Sequence, residues 1–123
     1  MIDTNSILTS TKKLLGLAEE YEDFDADIII HINSVLTILS QLGVGPQGGF
    51  IVMDEQTTWN DYFGDNKNLE FVKSYVYLKV KLLFDPPTST SVADSINRTL
   101  SELEWRINVE VESSPVKEVN ENE

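Results

Sequence analysis

The residue pattern that most resembles a reaction site is a glycine-rich stretch in the first half of the chain. Residues 43–48 read GVGPQG, which matches the G-x-G-x-x-G motif that cradles the pyrophosphate of a dinucleotide. That motif needs a strand before it and a helix after it, because the N–H groups at the helix start face the phosphate. Here a helical pattern precedes the stretch and a β-prone run follows it. We therefore interpret residues 43–48 as a loop and predict no cofactor.

A cluster of three aspartates resembles the start of a calcium loop. Asp23, Asp25 and Asp27 have the spacing of the first EF-hand ligands. The sixth and twelfth positions of such a loop should be glycine and glutamate, but here they hold Ile28 and Ser34. Carboxylates in the first turn of a helix, where the helix dipole favours them, are the simpler interpretation, and we predict no metal site.

The remaining titratable residues do not form a recognisable catalytic group. The only histidine, His31, lies beside an apolar helical stripe, so we expect a partly buried, hydrogen-bonded side chain. Glu19 with Glu20, or Glu102 with Glu104, could be taken for an acid/base pair, but near neighbours on a helix do not face each other. The sequence therefore predicts that the protein is not an enzyme.

Composition narrows the class of protein further. The chain has 123 residues, of which 41% are hydrophobic, which suits one domain with one core. It carries 21 acidic and 9 basic residues, so it lacks the excess of Lys and Arg that binds phosphates or anionic lipids. It has no cysteine, no signal-peptide pattern and no apolar run of the roughly 20 residues that cross a bilayer. We expect a soluble protein, made in a cytoplasm, that neither binds nucleic acid tightly nor enters a membrane.

Helical periodicity accounts for the elements on either side of the acidic cluster. We predict a first helix over residues 6–15, capped by Asn5 or Ser6 and ended by Gly16. Asp25 is the expected N-cap of a second helix, whose apolar residues recur at spacings of three and four. That apolar face consists of Ile28, Ile32, Val35, Leu39 and Leu42.

The middle of the chain predicts a loop and a short aromatic helix. Residues 43–49 hold four glycines and a proline, and residues 50–53 are β-prone, so we expect a loop followed by a short strand or an extended arm. Together the loop and arm span residues 43–57. Residues 58–63 then suggest a short helical turn that carries aromatic side chains.

Two longer helices complete the predicted fold. A helix over residues 69–84 has two apolar stripes, so we place it centrally. The first stripe consists of Leu69, Val72, Val76, Val80 and Leu83, and the second of Phe71, Tyr75, Leu78 and Leu82. The last helix starts near Ser89 or Ser91. Residues 109–112 alternate like a strand. We therefore predict an all-α fold, a small bundle of four to five helices, with a helical domain over residues 1–109 and a flexible acidic C-terminal tail over residues 110–123.

Four segments in this order resemble a known family. Residues 42–46 (LGVGP), 59–63 (WNDYF), 75–87 (YVYLKVKLLFDPP) and 102–107 (ELEWRI) carry the resemblance. The chain is similar, over residues 6–112, to the head–tail connector or adaptor proteins of long-tailed phages and prophages. Related proteins are also described as head-completion or DNA-packaging proteins.

The resemblance implies a structural role in the virion. A connector of this kind is a helical-bundle subunit that assembles with itself into a ring, typically of about twelve copies. The ring docks beneath the portal protein in the neck, extends the DNA channel, and gives a platform for a stopper or tail-completion protein. It implies no catalytic residue, cofactor or metal, and DNA passes through the channel without specific binding.

Large apolar residues outside the regular stripes, together with Arg106, are the candidate interface. They would contact other subunits, although the aromatic ones could instead roof the bundle core, and the strand-like segment near the C-terminus could add to a partner's sheet or be disordered. The acidic composition also fits a rival interpretation, a non-viral helical interaction module or an inhibitor that mimics DNA. The candidate interface residues are Phe50, Ile51, Val52, Met53, Trp59, Tyr62, Phe63, Trp105, Arg106, Val109 and Val111.

Overall fold

A computed structural model describes residues 5–46, 48–64 and 70–113 of the chain. Within these ranges it contains five helices and no strand, which confirms the predicted small all-α bundle. The fourth helix packs against the second and the fifth, and the second also packs against the first, so the fourth helix is central, as its two apolar stripes predict. The helices are α1 (Ile7–Leu14), α2 (Asp25–Gln41), α3 (Trp59–Phe63), α4 (Glu70–Phe84) and α5 (Thr90–Ser113).

The first helix begins and ends where its sequence signals lie. The Ser6 hydroxyl accepts a hydrogen bond from the Thr9 N–H at 3.1 Å, which satisfies one of the free donors of the first turn. Gly16 follows the helix with a φ of +84°, a conformation that costs glycine little. Both predictions for α1 are therefore confirmed.

The start of α2 differs from the prediction. Asp25 is the first helical residue, and the N-cap is Phe24, which makes no side-chain capping bond. The Asp25 carboxylate instead lies 2.8 Å from the ammonium group of Lys12, which is only 3% exposed. The prediction that Asp25 caps the helix is wrong because a buried cation on α1 holds its carboxylate.

The core lies where α4 meets its neighbours. Four of the predicted α2 stripe residues are buried, and Leu42, the last, is partly buried against them. From α4, both predicted stripes contribute, since Val72, Val76 and Val80 of one and Tyr75 of the other are buried. Leu69, which began the first stripe, lies outside the described residues.

The last helix is longer than the periodicity indicated. Its first turn is capped by Ser89, whose hydroxyl accepts from the Val92 N–H at 3.3 Å. The helix then runs without interruption to Ser113, so the prediction that residues 109–112 are strand-like is wrong. The alternation of valine with glutamate there is also compatible with a helix, in which Val111 reaches the core and Val109 faces outward.

The predicted boundary between domain and tail changes accordingly. Residues 110–113 belong to α5 rather than to a tail. The rest of the predicted tail, residues 114–123, lies outside the described residues. Among the described helices, none is both long and apolar enough to cross a membrane.

Candidate functional site

An aromatic cluster around α3 holds three of the predicted interface residues inside the subunit. Trp59 and Tyr62 are buried, and the Trp59 ring stacks on Phe63 at a centroid distance of 5.7 Å. The Trp59 ring also meets Tyr77 of α4 edge-on at 6.1 Å, and its indole N–H donates to the Ser10 hydroxyl of α1 at 3.1 Å. These side chains therefore lock α3 onto two other helices and are not free to contact a neighbour in this conformation.

The sequence carried a signal for this arrangement that hydrophobicity alone does not reveal. Thr58 accepts from the Asp61 N–H at 3.1 Å while the Asp61 carboxylate accepts from the Thr58 N–H at 3.1 Å, so a capping box fixes where α3 begins. Just before it, the Ile7 N–H donates to the Thr57 carbonyl at 3.0 Å and the Trp59 N–H donates to the Asn5 carbonyl at 2.8 Å. Backbone bonds thus join α3 to the start of α1.

The segment that precedes α3, which we call the arm (residues 50–57), is pinned to α2 without forming a strand. The Asn33 side chain accepts from the Val52 N–H at 2.8 Å and donates to the Val52 carbonyl at 3.1 Å. Val52 is buried, whereas Ile51 is 67% and Met53 is 78% exposed. Because successive side chains of an extended segment point to opposite sides, burying Val52 turns both neighbours outward.

The glycine-rich stretch has a packing role in the structure. Gly43 and Gly45 have φ values of +95° and +96°. A Cβ at Gly43 would lie 2.9 Å from a methyl group of Val111, and one at Gly45 would lie 2.9 Å from the Tyr62 ring. The loop follows α2 and leads into the arm, so the setting that the dinucleotide motif requires is missing from this described region. Gln47, within the motif, is not among the described residues.

The outward side of α5 holds the other exposed interface candidates. Trp105 is 65% exposed and Val109 is 41% exposed. Arg106 is also exposed, and its guanidinium pairs with Glu102 one turn earlier at 3.0 Å. Val111, in contrast, is partly buried and packs on the core. Three of the four α5 candidates are therefore available to a partner.

The polar contacts between helices are structural. The Tyr75 hydroxyl donates to the Glu104 carboxylate at 2.8 Å and so ties α4 to α5. Burial, and then the hydrogen bond and the charge of Glu104, raise the pKa of the Tyr75 hydroxyl well above its ordinary value. Burial alone raises the pKa of Tyr62. Both hydroxyls therefore stay protonated at any physiological pH.

The acidic segment between α1 and α2 (residues 17–23) lies beside the arm, since Glu19, Glu22 and Glu55 line one cavity together with Lys12. Lys12 donates to the Glu19 carbonyl at 2.8 Å and also pairs with Asp25. One buried lysine therefore holds this acidic segment against α1. His31 is partly buried, as predicted, but it packs edge-on at 6.4 Å from the Phe84 ring in place of a hydrogen bond to another described residue. Among the described residues, no group of three or more acidic or histidine side chains is placed to hold a metal ion.

The surface that remains for a partner is therefore smaller and differently distributed than the sequence predicted. Phe50 and Phe63 are partly buried against the core, and three further candidates are fully buried. Ile30, on the outer side of α2, is also exposed but was not among the candidates, although its position outside the apolar stripe could have indicated it. The exposed candidates that remain are Ile51, Met53, Trp105, Arg106 and Val109.

Comparison with known proteins identifies the family. The model of a family described as phage connector protein matches residues 7–114, which include nearly all of the described bundle. Searches of curated proteins and of solved structures find no significant match. The matched segment runs from the first residue of α1 to just beyond the last residue of α5. The chain therefore belongs to the phage connector protein family.

Proposed function

We propose that this protein is a ring-forming subunit of the phage neck, located between the portal protein of the DNA-filled head and the stopper or tail-completion protein. The family match over residues 7–114 is the observation that carries the proposal. Its role is structural, and each subunit contributes a wall segment to the DNA channel. On the basis of the sequence resemblance to connectors, we propose that the ring in the virion contains about twelve copies, related by cyclic symmetry.

The distribution of buried and exposed apolar side chains supports assembly by side-to-side contacts. The core is closed by the subunit's own helices, including the aromatic cluster around α3, so the bundle can fold before it assembles. Large apolar side chains nevertheless remain exposed on the arm and on α5, where Met53 and Trp105 are the clearest examples. Exposed aromatic and apolar groups of this kind are typical of interaction surfaces.

The charge of the chain suits a channel through which DNA passes without binding. With a formal net charge of −12, each subunit repels phosphate, and several copies in a ring add their fields. A wall that attracted phosphate would retard the DNA through the many contacts that a basic surface makes. We infer that DNA is cargo for this ring and not a ligand.

The C-terminal residues are the proposed contact with the portal. Because α5 continues to Ser113, a truncation that removes residues 114–123 leaves every described helix intact. We expect the truncated protein to fold normally, by far-UV circular dichroism, but to fail to join tails to packaged heads. If the truncated protein supports infectious particles as well as the full chain does, the portal contact lies elsewhere.

The decisive test of the function is removal of the gene from the phage or prophage that carries it. We expect DNA-filled heads without tails, restored to infectious particles when the full chain is supplied from a plasmid. Cryo-electron microscopy of the restored particles should place the protein in a ring below the portal. Normal tailed particles without the protein, or its presence only outside the particle, would instead favour an acidic interaction module that acts on another partner.

A further inference from the structure

We propose that the outer face of α5 in one subunit packs against the arm of a second copy of this chain, and that this contact repeats around the ring. The α5 outer face is formed by Arg98, Trp105 and Val109, and the arm surface by Ile51, Met53, Asp54 and Glu55. The proposal rests on the proposed ring and names the surfaces that close it. Both surfaces belong to the described part of the chain.

The α5 outer face has the composition of a binding hot spot. Arg98, Trp105 and Val109 are seven and four residues apart, so they lie on one side of the helix. Leu100 and Ile107, which are buried, lie on the opposite side of α5, against the core. Trp and Arg are the residues most enriched among side chains that dominate binding energy, and α5 carries both arginines of the chain.

The arm surface is held in place before any partner arrives. The two hydrogen bonds between Asn33 and Val52 fix the backbone on which Ile51 and Met53 stand. Presenting two apolar side chains on a pinned segment lowers the entropy lost on binding. Asp54 and Glu55, which are exposed, follow directly and give the arm surface a negative edge.

The two surfaces are complementary in charge as well as in apolar character. Arg98 and Glu55 are both exposed, and neither makes a salt bridge with another described residue. Copies with a net charge of −12 repel one another, so a contact that places arginine opposite carboxylates offsets part of that repulsion. Because this chain carries both the arginine and the carboxylates, a contact between two copies needs no charged group from the portal or the stopper protein.

The positions of the two surfaces favour a head-to-tail contact. The arm is attached to α2, and α4 packs between α2 and α5. The two surfaces therefore belong to separate elements of the subunit, so that one copy can offer each of them to a different neighbour. A contact between two different surfaces of identical subunits generates a ring when the rotation closes.

Cysteine cross-linking tests the pairing directly, because the chain contains no cysteine of its own. In the full-length double variant Met53→Cys/Val109→Cys, oxidation should produce a ladder of dimers, trimers and larger species. The matched control is Met53→Cys/Val92→Cys. Val92 is also exposed on α5 but lies 17 residues before Val109, about 26 Å along the helix, beyond the reach of a disulfide. The control should therefore give no cross-linked species under the same oxidation.

Charge reversal tests the polar part of the contact. Arg98→Glu should weaken self-association, measured by sedimentation velocity, by about tenfold, and Glu55→Arg in the same chain should restore most of it. Lys13→Glu makes the same change in net charge at an exposed site on α1 and should have a smaller effect. Trp105→Ala should weaken association by about tenfold or more while the helical signal is unchanged.

The outcomes separate this proposal from the proposed function. A cross-linking ladder through residues 53 and 109, in solution or in isolated necks, together with charge rescue, supports the pairing. Rings that form in solution or in the neck without this cross-link, and that tolerate Arg98→Glu, overturn the pairing and leave the connector role standing. If the protein neither self-associates nor occurs in several copies in the neck, the ring and the pairing both fail.

Discussion

The chain contains two tryptophans, and they lie in opposite environments. Trp59 is 1% exposed and joins α3 to α1 and α4, whereas Trp105 is 65% exposed on the outer side of α5. The same residue type therefore stabilises the subunit in one region and is free to bind a partner in the other. This difference shows that the aromatic cluster is part of the fold, and it is the reason why we propose the partner surface on α5 and the arm and not on the cluster.

The largest expected effect compares these two tryptophans directly. Trp59→Ala should cost about 3–5 kcal/mol of unfolding free energy, because it removes a buried ring and leaves a cavity. Trp105→Ala should change the stability of the monomer by no more than about 0.5 kcal/mol. Urea unfolding followed by circular dichroism, at a concentration where the chain is monomeric, measures both. Equal losses of unfolding free energy for the two variants would contradict the different roles of the two tryptophans.

The next effect tests the close packing of the loop beneath the aromatic cluster. Gly48→Ala, with a φ of +89° and open space around its Cβ, should cost about 1 kcal/mol from backbone strain alone. Gly45→Ala has a similar φ but a Cβ only 2.9 Å from the Tyr62 ring, so it should cost about 1–3 kcal/mol more. The difference in urea midpoint between the two variants isolates the contact. Similar midpoints would mean that the loop does not press against the cluster.

A moderate effect is expected for the hydrogen bonds that hold the arm against α2. Asn33→Ala leaves the N–H and carbonyl of buried Val52 without their partner and should cost about 1–3 kcal/mol. It should also raise the hydrogen-exchange rate of the arm amides. Ser34→Ala, at the neighbouring exposed position, is the matched control and should leave both quantities nearly unchanged. An arm that exchanges equally fast in both variants would not be pinned.

The smallest effect compares two buried tyrosine hydroxyls. The Tyr75 hydroxyl donates to Glu104, so Tyr75→Phe should cost about 1 kcal/mol. The buried Tyr62 hydroxyl has no hydrogen-bond partner among the described residues, so Tyr62→Phe should be neutral within about 0.5 kcal/mol. Thermal unfolding at neutral pH gives both values. A larger loss for Tyr62→Phe than for Tyr75→Phe would reverse their assignment.

The same two tyrosines also make the stability of the protein depend on pH. Their pKa values are raised in the folded protein above the unfolded value of 10.0, so folding favours the protonated hydroxyls. Their contribution is fully present below pH 10 and is lost as the pH rises further, because the unfolded chain then gains stability by ionising. The double variant Tyr62→Phe/Tyr75→Phe should show a shallower loss of stability in that range.

Most of the helices could be predicted from the sequence because their signals are local. Ser6 and Gly16 mark the ends of α1, and the recurrence of apolar residues marks the buried side of α2. The start of α2 could not be predicted, because the Asp25 side chain pairs with Lys12 on another helix. The alternation of residues 109–112 led to a wrong prediction of a strand. Val111 packs beside Gly43, which is distant in sequence, and a local pattern does not contain that contact.

The candidate surface could be predicted only in part. The sequence indicated which residues were large and apolar and lay outside the stripes, and Ile51, Met53, Trp105 and Val109 are indeed exposed. Whether those residues contact another subunit stays a prediction. The sequence could not separate them from Trp59 and its neighbours, because residue type does not reveal what other elements cover a side chain.

By itself the sequence determined the helical class, the positions of the main helices and the kinship with connectors, because periodicity, capping and motif order are properties of short segments. Only the tertiary structure decided which aromatic residues are buried and which are exposed to solvent. Burial of Trp59 depends on α1 and α4 arriving from distant parts of the chain, and the outward direction of Ile51 and Met53 depends on Asn33 holding Val52. Those are long-range contacts, so only the folded chain contains them.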